Sequence, residues 1–443
     1  LSDLRSYVDF MAKQVDRARV EDFSIVGTVQ MEEMVRFSNN SVNVVKGIET
    51  LTLFLYVGLE KKRAVGSLSN ISESSILKFI DYLVKNCRIS PRAADYATIP
   101  EGSSSYQLPT YDKEVSENPG VLVVFARDAI DNCLSSGAMR VAGSIASSVD
   151  ETQIRTSGGA DSVENSTSLE LNIRGFSESG SSGQGLSCAS SLKNLDAKGA
   201  GVKAGIDASR SKDPRGCKEA KYDVVFMPTV AADLFHLVGQ AASAFSVDAG
   251  TSFLAGLVNK RIGVDSLSMR DIGIPSDGGS GRGFDDEGSP TTENTLIEKG
   301  FLRGYLHNST TAKKFHSKPT GNAGIINPHP WNLEVGPGTY SLDEMISGIK
   351  KGIIFTNNWY TRFQNLRAGT YSTIPRDAAF MIEEGEIVYP ITGTRISDAL
   401  PRQLESIMAI SKAREWISWW EVNIPTLSPA ILVKDVFITN ALG

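Results

Sequence analysis

The stretch that best indicates the fold of this sequence is residues 281–324, GRGFDDEGSPTTENTLIEKGFLRGYLHNSTTAKKFHSKPTGNAG. This stretch begins with a glycine-rich loop that carries three successive acids, Asp285, Asp286 and Glu287, and ends at Gly288. Apolar residues then lie on both sides of a short Glu-Lys-Gly turn, which is typical of a β-hairpin. The repeated glycines indicate backbone with positive φ or close approach to another segment. We therefore expect a β-rich domain around this stretch.

The order and spacing of three motifs in this stretch carry a resemblance to a known family. FDDEG-S-P, IEKGFLRGYL and PTGNA follow one another in the order found in the TldD/PmbA family, also called modulators of DNA gyrase. That family includes zinc metalloproteases and sister subunits without the zinc ligands, and this sequence is most similar to the sister branch. The resemblance implies an α+β fold, with a smaller N-terminal α/β part and a larger β-rich C-terminal domain.

Changes in composition along the 443 residues divide the chain into three predicted parts. Residues 1–112 alternate between helical and strand periodicity and predict an α/β domain. Residues 113–218 form a Ser/Gly-rich middle region, in which alternating apolar residues between 139 and 192 favour an antiparallel meander over a flexible linker. Residues 219–443 are dominated by strand and turn patterns and predict the β-rich C-terminal domain.

Two local patterns give more specific expectations. Asn70, followed by Glu73, indicates the start of a helix through a capping box. Residues 401–420 place apolar side chains at helical spacing and predict a long helix. Trp419 and Trp420 follow one another near its end, so both cannot face one core, and core and interface roles remain open for them.

Composition and charge exclude several classes of protein. The net charge is −6 and no basic run is present, so the electrostatic pattern of a nucleic-acid binder is missing. No apolar run approaches the roughly 18–20 residues of a membrane-spanning helix. The four cysteines contain no CxxC pair and suit a reducing compartment. No signal peptide is evident at the N-terminus of the sequence, and we expect a cytoplasmic protein.

The resemblance also implies where a zinc site would lie. The zinc-bearing branch carries H-E-x-x-x-H on a helix after a strand that ends in proline, and the matching segment here is residues 228–241. His236 falls on the first ligand position, whereas Leu237 replaces the glutamate and Ala241 replaces the second histidine. No cysteine follows Cys217 to match a late cysteine ligand. We therefore expect no metal and no cofactor in this chain, with zinc in a TldD-like partner.

The acids of residues 285–287 allow two interpretations. They could hold Mg²⁺ or Ca²⁺, but successive side chains in an extended segment point to opposite sides and the EF-hand spacing is absent. Asp before Gly more often binds the backbone amides of its own turn. The resemblance implies a third role for residues 285–288, at the edge of a peptide cleft together with Thr320, Gly321 and Asn322.

The resemblance, together with the missing zinc ligands, implies a non-catalytic, substrate-binding subunit of a TldD/PmbA-type metalloprotease complex that acts on unfolded peptides. The expected partner is a zinc-bearing TldD-like paralogue, or else a second copy of the chain. Extended peptides would bind by strand addition to an exposed sheet edge. Two alternatives remain open: a metalloprotease active in its own right, and a homodimeric peptide-binding module without protease activity.

Overall fold

A computed structural model describes residues 4–103, 105–118, 120–178 and 180–440, and it contains two β-sheets with helices packed against them. The two sheets have six and fourteen strands among the described residues. The α+β prediction is confirmed, and the larger, strand-rich part lies in the C-terminal half.

The first sheet is antiparallel throughout, with the strand order β3-β2-β1-β4-β5-β6. Its strands are β1 Asp22–Ser38, β2 Ser41–Leu59, β3 Lys62–Leu68, β4 Arg140–Thr156, β5 Asp161–Phe176 and β6 Ser182–Ala189. The helices of this half are α1 Leu4–Arg17, α2 Glu73–Ile89, α3 Lys113–Glu117, α4 Val121–Ser135 and α5 Ala197–Arg210, with a 3-10 turn at Leu192–Asn194. Strands from residues 1–112 and 113–218 therefore pair in a single sheet, and the predicted antiparallel meander forms its second half.

The second sheet contains the remaining strands. These are β7 Arg215–Gly216, β8 Ala220–Phe226, β9 Met269–Asp271, β10 Asn294–Glu298, β11 Phe301–Leu302, β12 Leu333–Val335, β13 Lys351–Phe355, β14 Trp359–Asn365, β15 Thr370–Ile374, β16 Ala379–Glu383, β17 Glu386–Thr392, β18 Thr394–Ala399, β19 Ile407–Trp419 and β20 Val422–Asn440. Its helices are α6 Pro228–Ala241, α7 Ala244–Asp248, α8 Ser309–Lys314, α9 Leu342–Ser347 and α10 Leu400–Glu405. The predicted hairpin across the Glu-Lys-Gly turn is confirmed as β10 and β11.

The second sheet is organised around two central strands. β20 pairs with β8, β12, β18 and β19, and β8 also pairs with β13. Helix α6 follows directly from β8 and packs over β20, and its residues belong to the largest apolar core of the molecule. Every residue of α6 is buried except Gln240. A helix that is covered on all sides belongs to the interior of a protein, so α6 is a central element of this half.

Two local expectations from the sequence are wrong. Residues 401–420 form the six-residue α10 and then the long strand β19, which pairs with β20. Register shifts between Ile407 and Ala409, Ile410 and Arg414, and Ile417 and Trp419 interrupt the two-residue alternation of this strand, so the sequence shows no strand period there. The cap of α2 is Ser72 paired with Ser75, because its hydroxyl, and not Asn70, accepts from the helical amide.

Polar contacts join the two sheets. Glu164 of β5 accepts from the Gly283 amide at 2.7 Å and lies 2.8 Å from Arg282 Nε. Arg174 of the same strand pairs with the buried carboxylate of Asp377. Because these charges are removed from water, each depends on its partner across the contact, and breaking one of them leaves an uncompensated buried charge.

Helices α4 and α5 approach each other unusually closely. A Cβ atom on Gly201 would lie 2.3 Å from the Ala129 carbonyl oxygen, and one on Gly205 would lie 2.3 Å from the Cys133 carbonyl oxygen. Both distances are far below van der Waals contact, so the two helix backbones can touch only because glycine has no side chain. This packing fixes α5 against the first sheet.

We therefore expect Gly205→Ala to lower the free energy of unfolding by about 1–3 kcal/mol, as overpacking of a rigid contact does. Chemical denaturation followed by circular dichroism would measure the change. Gly304→Ala is the matched control, because no heavy atom lies within 4 Å of the added methyl group. Equal stability of the two variants would contradict the close helix contact.

Candidate functional site

Helix α6 places one side chain at a cleft. Gln240 lies near the last turn of the helix and lines a cavity of about 520 Å³. The same cavity is bounded by Ser243 after the helix, by Ser280 and by Asn423, Ile424 and Pro425 near the start of β20. Its lining also includes the loop Asn327, Pro328, His329, Pro330 and Trp331. We call this cavity the α6 cleft.

A second, smaller cavity of about 150 Å³ adjoins the α6 cleft, because Ser280, Asn423 and Pro425 line both. Its other wall comes from the first sheet, with Glu170 of β5 and Cys188 of β6. The combined cleft therefore runs between the two sheets. Burial raises the pKa of Glu170 to about 7, although a hydrogen bond from Ser418 lowers it. This carboxyl group is a proton-exchanging group on the cleft wall near neutral pH.

The predicted zinc-ligand positions on α6 do not face this cleft. Leu237 and Ala241 belong to the largest apolar core. His236 is buried. Its Nδ1 lies 3.0 Å from the carbonyl oxygen of Asp233 and 3.5 Å from the carboxylate of Asp233. Asp233 in turn accepts from Asn358 and Thr361.

This donor set does not fit zinc. A catalytic zinc site needs three protein ligands around one open position, and Leu237 and Ala241 supply neither a donor nor a base. Among the described residues, no three His, Cys, Asp or Glu side chains form a group that could hold a metal ion. His236 instead belongs to a buried hydrogen-bond network inside the second half of the chain.

The three acids at residues 285–287 each interact with different partners. Asp285 is fully buried, and its Oδ1 accepts from the Glu287 and Ser289 amides at 3.0 and 2.9 Å. Its Oδ2 accepts from the Ala323 amide at 3.0 Å. Asp285 thus binds the backbone of its own turn and of the neighbouring 320–323 segment, as the turn interpretation expects.

The other two acids point elsewhere. Asp286 pairs with Arg282 at 3.2 Å, and Glu287 accepts from the amide and the hydroxyl of Ser309 at 2.9 and 2.6 Å. Both line a separate cavity of about 220 Å³ between the sheets. At Gly288, φ is +84° and a Cβ atom would lie 2.5 Å from the methyl group of Ala160. The loop of residues 281–288 therefore packs closely against the first sheet at this position.

Gly321 and Asn322 do not line the α6 cleft, but they form hydrogen bonds with the loop that does. The Gly321 carbonyl accepts from Trp331 Nε1 at 2.8 Å, and the Asn322 amide group donates to the His329 carbonyl at 3.0 Å and to Asp271 at 2.6 Å. These bonds fix the loop that carries His329 and Trp331 into the α6 cleft. Thr320 makes a backbone pairing with His307.

The structure thus brings the predicted 285–288 and 320–322 segments together, but neither lines the α6 cleft. Sequence reasoning missed the residues that do, including Gln240, Ser280, Trp331 and Asn423. Gln240 is the one exposed residue of an otherwise buried helix. Its polar side chain in the largely apolar segment 237–242 was the signal that could have identified it. The others come from loops whose approach is set by the tertiary structure.

The titration of Asp285 gives a test of its burial. Burial and the nearby Glu287 raise its pKa to about 8, despite the amides that donate to it. Between an unfolded pKa near 4 and this value, the folded chain holds a proton that the unfolded chain has lost. Asp285 therefore destabilises the fold progressively as pH rises from about 5 to 8.

As pH rises over this range, the free energy of unfolding of Asp285→Asn should increase relative to that of the parent, because only the parent must take up a proton on folding. Urea denaturation at several pH values would measure the difference. Asp265→Asn, whose parent side chain is 80% exposed, should show no such trend. A pH-independent difference for Asp285→Asn would contradict this assignment.

Comparison with known proteins places the chain among relatives. Residues 219–440 match the family model of the PmbA/TldA metallopeptidase C-terminal domain. The chain is similar to metalloprotease PmbA of Escherichia coli O157:H7, with 32% identity over 221 residues, covering 49% of this chain and 47% of that protein. It is also similar to a metalloprotease PmbA homolog of Haemophilus influenzae, with 25% identity over 439 residues, 92% of this chain and 91% of that protein.

Several of these sequence matches cover only part of the relative. The chain spans about half the length of the first curated relatives it matches. Among solved structures, TldE of Thermococcus kodakarensis is similar with a TM-score of 0.85 and 19% identity, covering 98% of this chain and 99% of that one. This likeness concerns the fold.

No helix among the described residues is long and apolar enough to cross a membrane. Because the C-terminal family model matches half of the sequence, the chain belongs to the TldD/PmbA family of metalloprotease-related proteins.

Proposed function

We propose that this chain is the non-catalytic, substrate-binding subunit of a TldD/PmbA-type metalloprotease complex, and that it binds unfolded peptides in the α6 cleft. The proposed partner is a zinc-bearing TldD-like relative that supplies the hydrolytic chemistry. The observation that carries this proposal is the position of α6, whose apolar residues are buried in the core while Gln240 faces an open cleft. Four free cysteines support a cytoplasmic location.

The lining of the cleft suits an extended peptide. Side-chain amides of Gln240, Asn327 and Asn423 can each donate to a peptide carbonyl and accept from a peptide N–H. Trp331 and Pro425 add apolar surface for side chains. Amide groups recognise the main chain, which is the same in every peptide, so this cleft favours binding with little dependence on sequence.

The predicted 285–288 and 320–322 segments have a supporting role in this proposal. Backbone N–H groups of Asp285, Asp286, Gly288 and Thr320 already donate within the chain, to Ser289, Ala323, Asp285 and His307 respectively. A strand added at these positions would find those donors occupied. Peptide binding is therefore assigned to the α6 cleft, and these segments hold its loop in place.

Peptide binding can be measured by fluorescence anisotropy with a fluorescein-labelled, unstructured peptide. We expect Gln240→Ala and Asn423→Ala each to raise Kd by about 3–10-fold, the loss of one or two hydrogen bonds of roughly 1 kcal/mol. Asn70→Ala removes a comparable exposed amide far from the cleft and should leave Kd unchanged. An unaltered Kd in both cleft variants would exclude this cleft as the binding surface.

The proposed roles of the two subunits can be tested by measuring zinc content and peptide cleavage. The chain alone should contain no stoichiometric zinc and should not cleave the peptide, and mixing it with a TldD-type relative should give a stable complex with chelator-sensitive cleavage. Chelator-sensitive cleavage by the chain alone would instead favour a metalloprotease active in its own right. Peptide binding with a stable homodimer and no complex with a zinc-bearing relative would favour the homodimeric module.

Restoring the motif residues should not restore a zinc site. Leu237→Glu would place an unpaired carboxylate in the apolar core, and Ala241→His would overpack it, so we expect the double variant to lose about 3 kcal/mol or more of unfolding free energy. Gln240→His on the same helix faces the cleft and should cost less than about 1 kcal/mol. Stoichiometric zinc in a stable Leu237→Glu, Ala241→His variant would contradict the core position of both residues.

A further inference from the structure

The turn between β19 and β20 exposes an aromatic surface. Trp419 is buried in a small cluster with Ala232 of α6, whereas Trp420 is 51% exposed. The Trp420 ring packs edge-on against the Trp359 ring with their centroids 4.4 Å apart, and Tyr360, which is 55% exposed, lies beside both. We call Trp359, Tyr360 and Trp420 the aromatic platform. Of the two adjacent tryptophans, one therefore belongs to the core and the other to the surface.

Tyr360 is held in this platform by an unfavourable backbone conformation. Its φ is +59°, in the left-handed region that bulky residues rarely adopt. The buried carboxylate of Glu421 accepts from the Tyr360 amide at 2.7 Å and lies 3.3 Å from Arg362. Because strained backbone persists only where its neighbours enforce it, the aromatic platform is fixed by the fold and is more than a group of loose surface side chains.

Arg376 stacks on the aromatic platform. Its guanidinium lies over the Trp359 ring, 3.6 Å from the ring centroid. This stacking occupies the flat face of the guanidinium and leaves the N–H groups along its edge free to donate. The neighbouring Arg174 pairs with the buried Asp377, whereas Arg376 forms an ion pair with no carboxylate of the described residues. Arg376 therefore presents a fixed, forked donor with no acceptor in the described part of the chain.

The charge around Arg376 is not balanced. Asp377, the next residue along the chain, already accepts from Arg174 and Ser182. Two arginines and this one carboxylate leave one positive charge without a partner. Burial and the nearby Arg174 lower the pKa of Arg376, as expected for a cation that lies beside another cation. Asp213 lines the same cavity as Arg376, but it is exposed and forms no ion pair with it.

The aromatic platform lies between the α6 cleft and this cavity. At one end, Ser418 lines the smaller cavity that adjoins the cleft, and Trp420 follows two residues later. At the other end, Arg376 and Thr392 line a cavity of about 350 Å³, which we call the Arg376 cavity. The path from Ser418 across the two stacked rings to Arg376 is on the order of 15–20 Å, which about five or six residues of an extended chain can span. A peptide that leaves the cleft beside Ser418 can thus reach Arg376.

We propose that Arg376 binds a carboxylate of the peptide held in the α6 cleft, and thereby selects peptides with an acidic side chain or a free C-terminus. This inference rests on the proposed peptide binding and names the class of peptide that is preferred. A carboxylate fits the free edge of a guanidinium, which can donate two parallel hydrogen bonds to it. The aromatic platform contacts the apolar parts of the peptide residues between the cleft and Arg376.

A carboxylate contact also fixes the position of the peptide. The side-chain amides of Gln240, Asn327 and Asn423 pair with main-chain groups, which repeat along every peptide, so they impose no register. A charged anchor beyond the cleft supplies a register, because only a residue with a carboxylate can occupy it. Arg376 is therefore a specificity-determining residue, and the cleft amides supply the affinity that all peptides share.

The test compares the anisotropy of labelled, unstructured peptides that differ in one carboxylate. A peptide of about 15 residues spans roughly 50 Å, enough to leave the cleft in either direction. The first peptide has one central Glu and an amidated C-terminus, the second has Gln in place of Glu, and the third has Gln and a free C-terminus. We expect the parent to bind the first peptide, the third peptide or both about 5-fold or more tightly than the second. Preference for the first identifies a side-chain carboxylate as the ligand, and preference for the third identifies the terminal carboxylate.

Variants of Arg376 assign this preference to its guanidinium. Arg376→Gln should lose the preference, so that all three peptides bind alike, whereas Arg376→Lys keeps the charge without the fork and should retain part of it. Arg367→Gln is the matched control, because Arg367 is exposed in the same half of the chain and lines neither the α6 cleft nor the Arg376 cavity. This control should keep the preference of the parent. Added salt should reduce the preference, because the contact lies at the surface.

Equal Kd values of the parent for all three peptides would overturn this inference and leave the proposed function standing. Equal weakening of all three peptides by Arg376→Gln, with the preference kept, would also overturn it, since Arg376 would then only support the Trp359 ring. The absence of binding to any of the peptides would overturn the proposed function, and this inference with it.

Discussion

The burial of α6 is the constraint on which the rest of the C-terminal half depends. The helix is enclosed by the second sheet and its loops. Oδ2 of its buried Asp233 accepts from Asn358 and Thr361, and Nδ1 of His236 lies 3.0 Å from the Asp233 carbonyl oxygen. A buried carboxylate is tolerated only when such partners surround it. Because α6 is fixed on every side, the direction in which Gln240 emerges is fixed as well.

The cleft follows from that fixed direction. The smaller cavity that adjoins the cleft has one wall in the first sheet. The two sheets are held together by buried polar contacts such as Glu164 with Arg282 and Gly283. The glycine-rich loop of residues 281–288 lies in this contact, and Asp285 ties it to the 320–323 segment. The acids of residues 285–287 therefore fix this loop within the second half of the chain, and Arg282 and Gly283 of the same loop contact the first sheet.

The proposed role of this chain as a subunit rests on two observations. The metalloprotease relatives share the C-terminal domain, whereas the helix that the resemblance assigns to zinc is part of the core in this chain. The chain instead exposes a cleft lined by side-chain amides, which can pair with the N–H and C=O groups of an extended backbone.

The sequence by itself determined the α+β class, the hairpin of β10 and β11 and the family, because each depends on local periodicity or on short motifs in a fixed order. It did not determine β19, where a helical pattern over a few residues concealed a strand that exists only because β20 pairs with it along its length. It also missed residues 41–50 of β2, since a strand exposed on both faces carries no amphipathic pattern. The α6 cleft was decided by tertiary structure alone, because Gln240 and Asn423 on its walls are far apart in the sequence and meet only when α6, β20 and the loops pack together. The adjoining cavity also needs the first sheet to pack against this half.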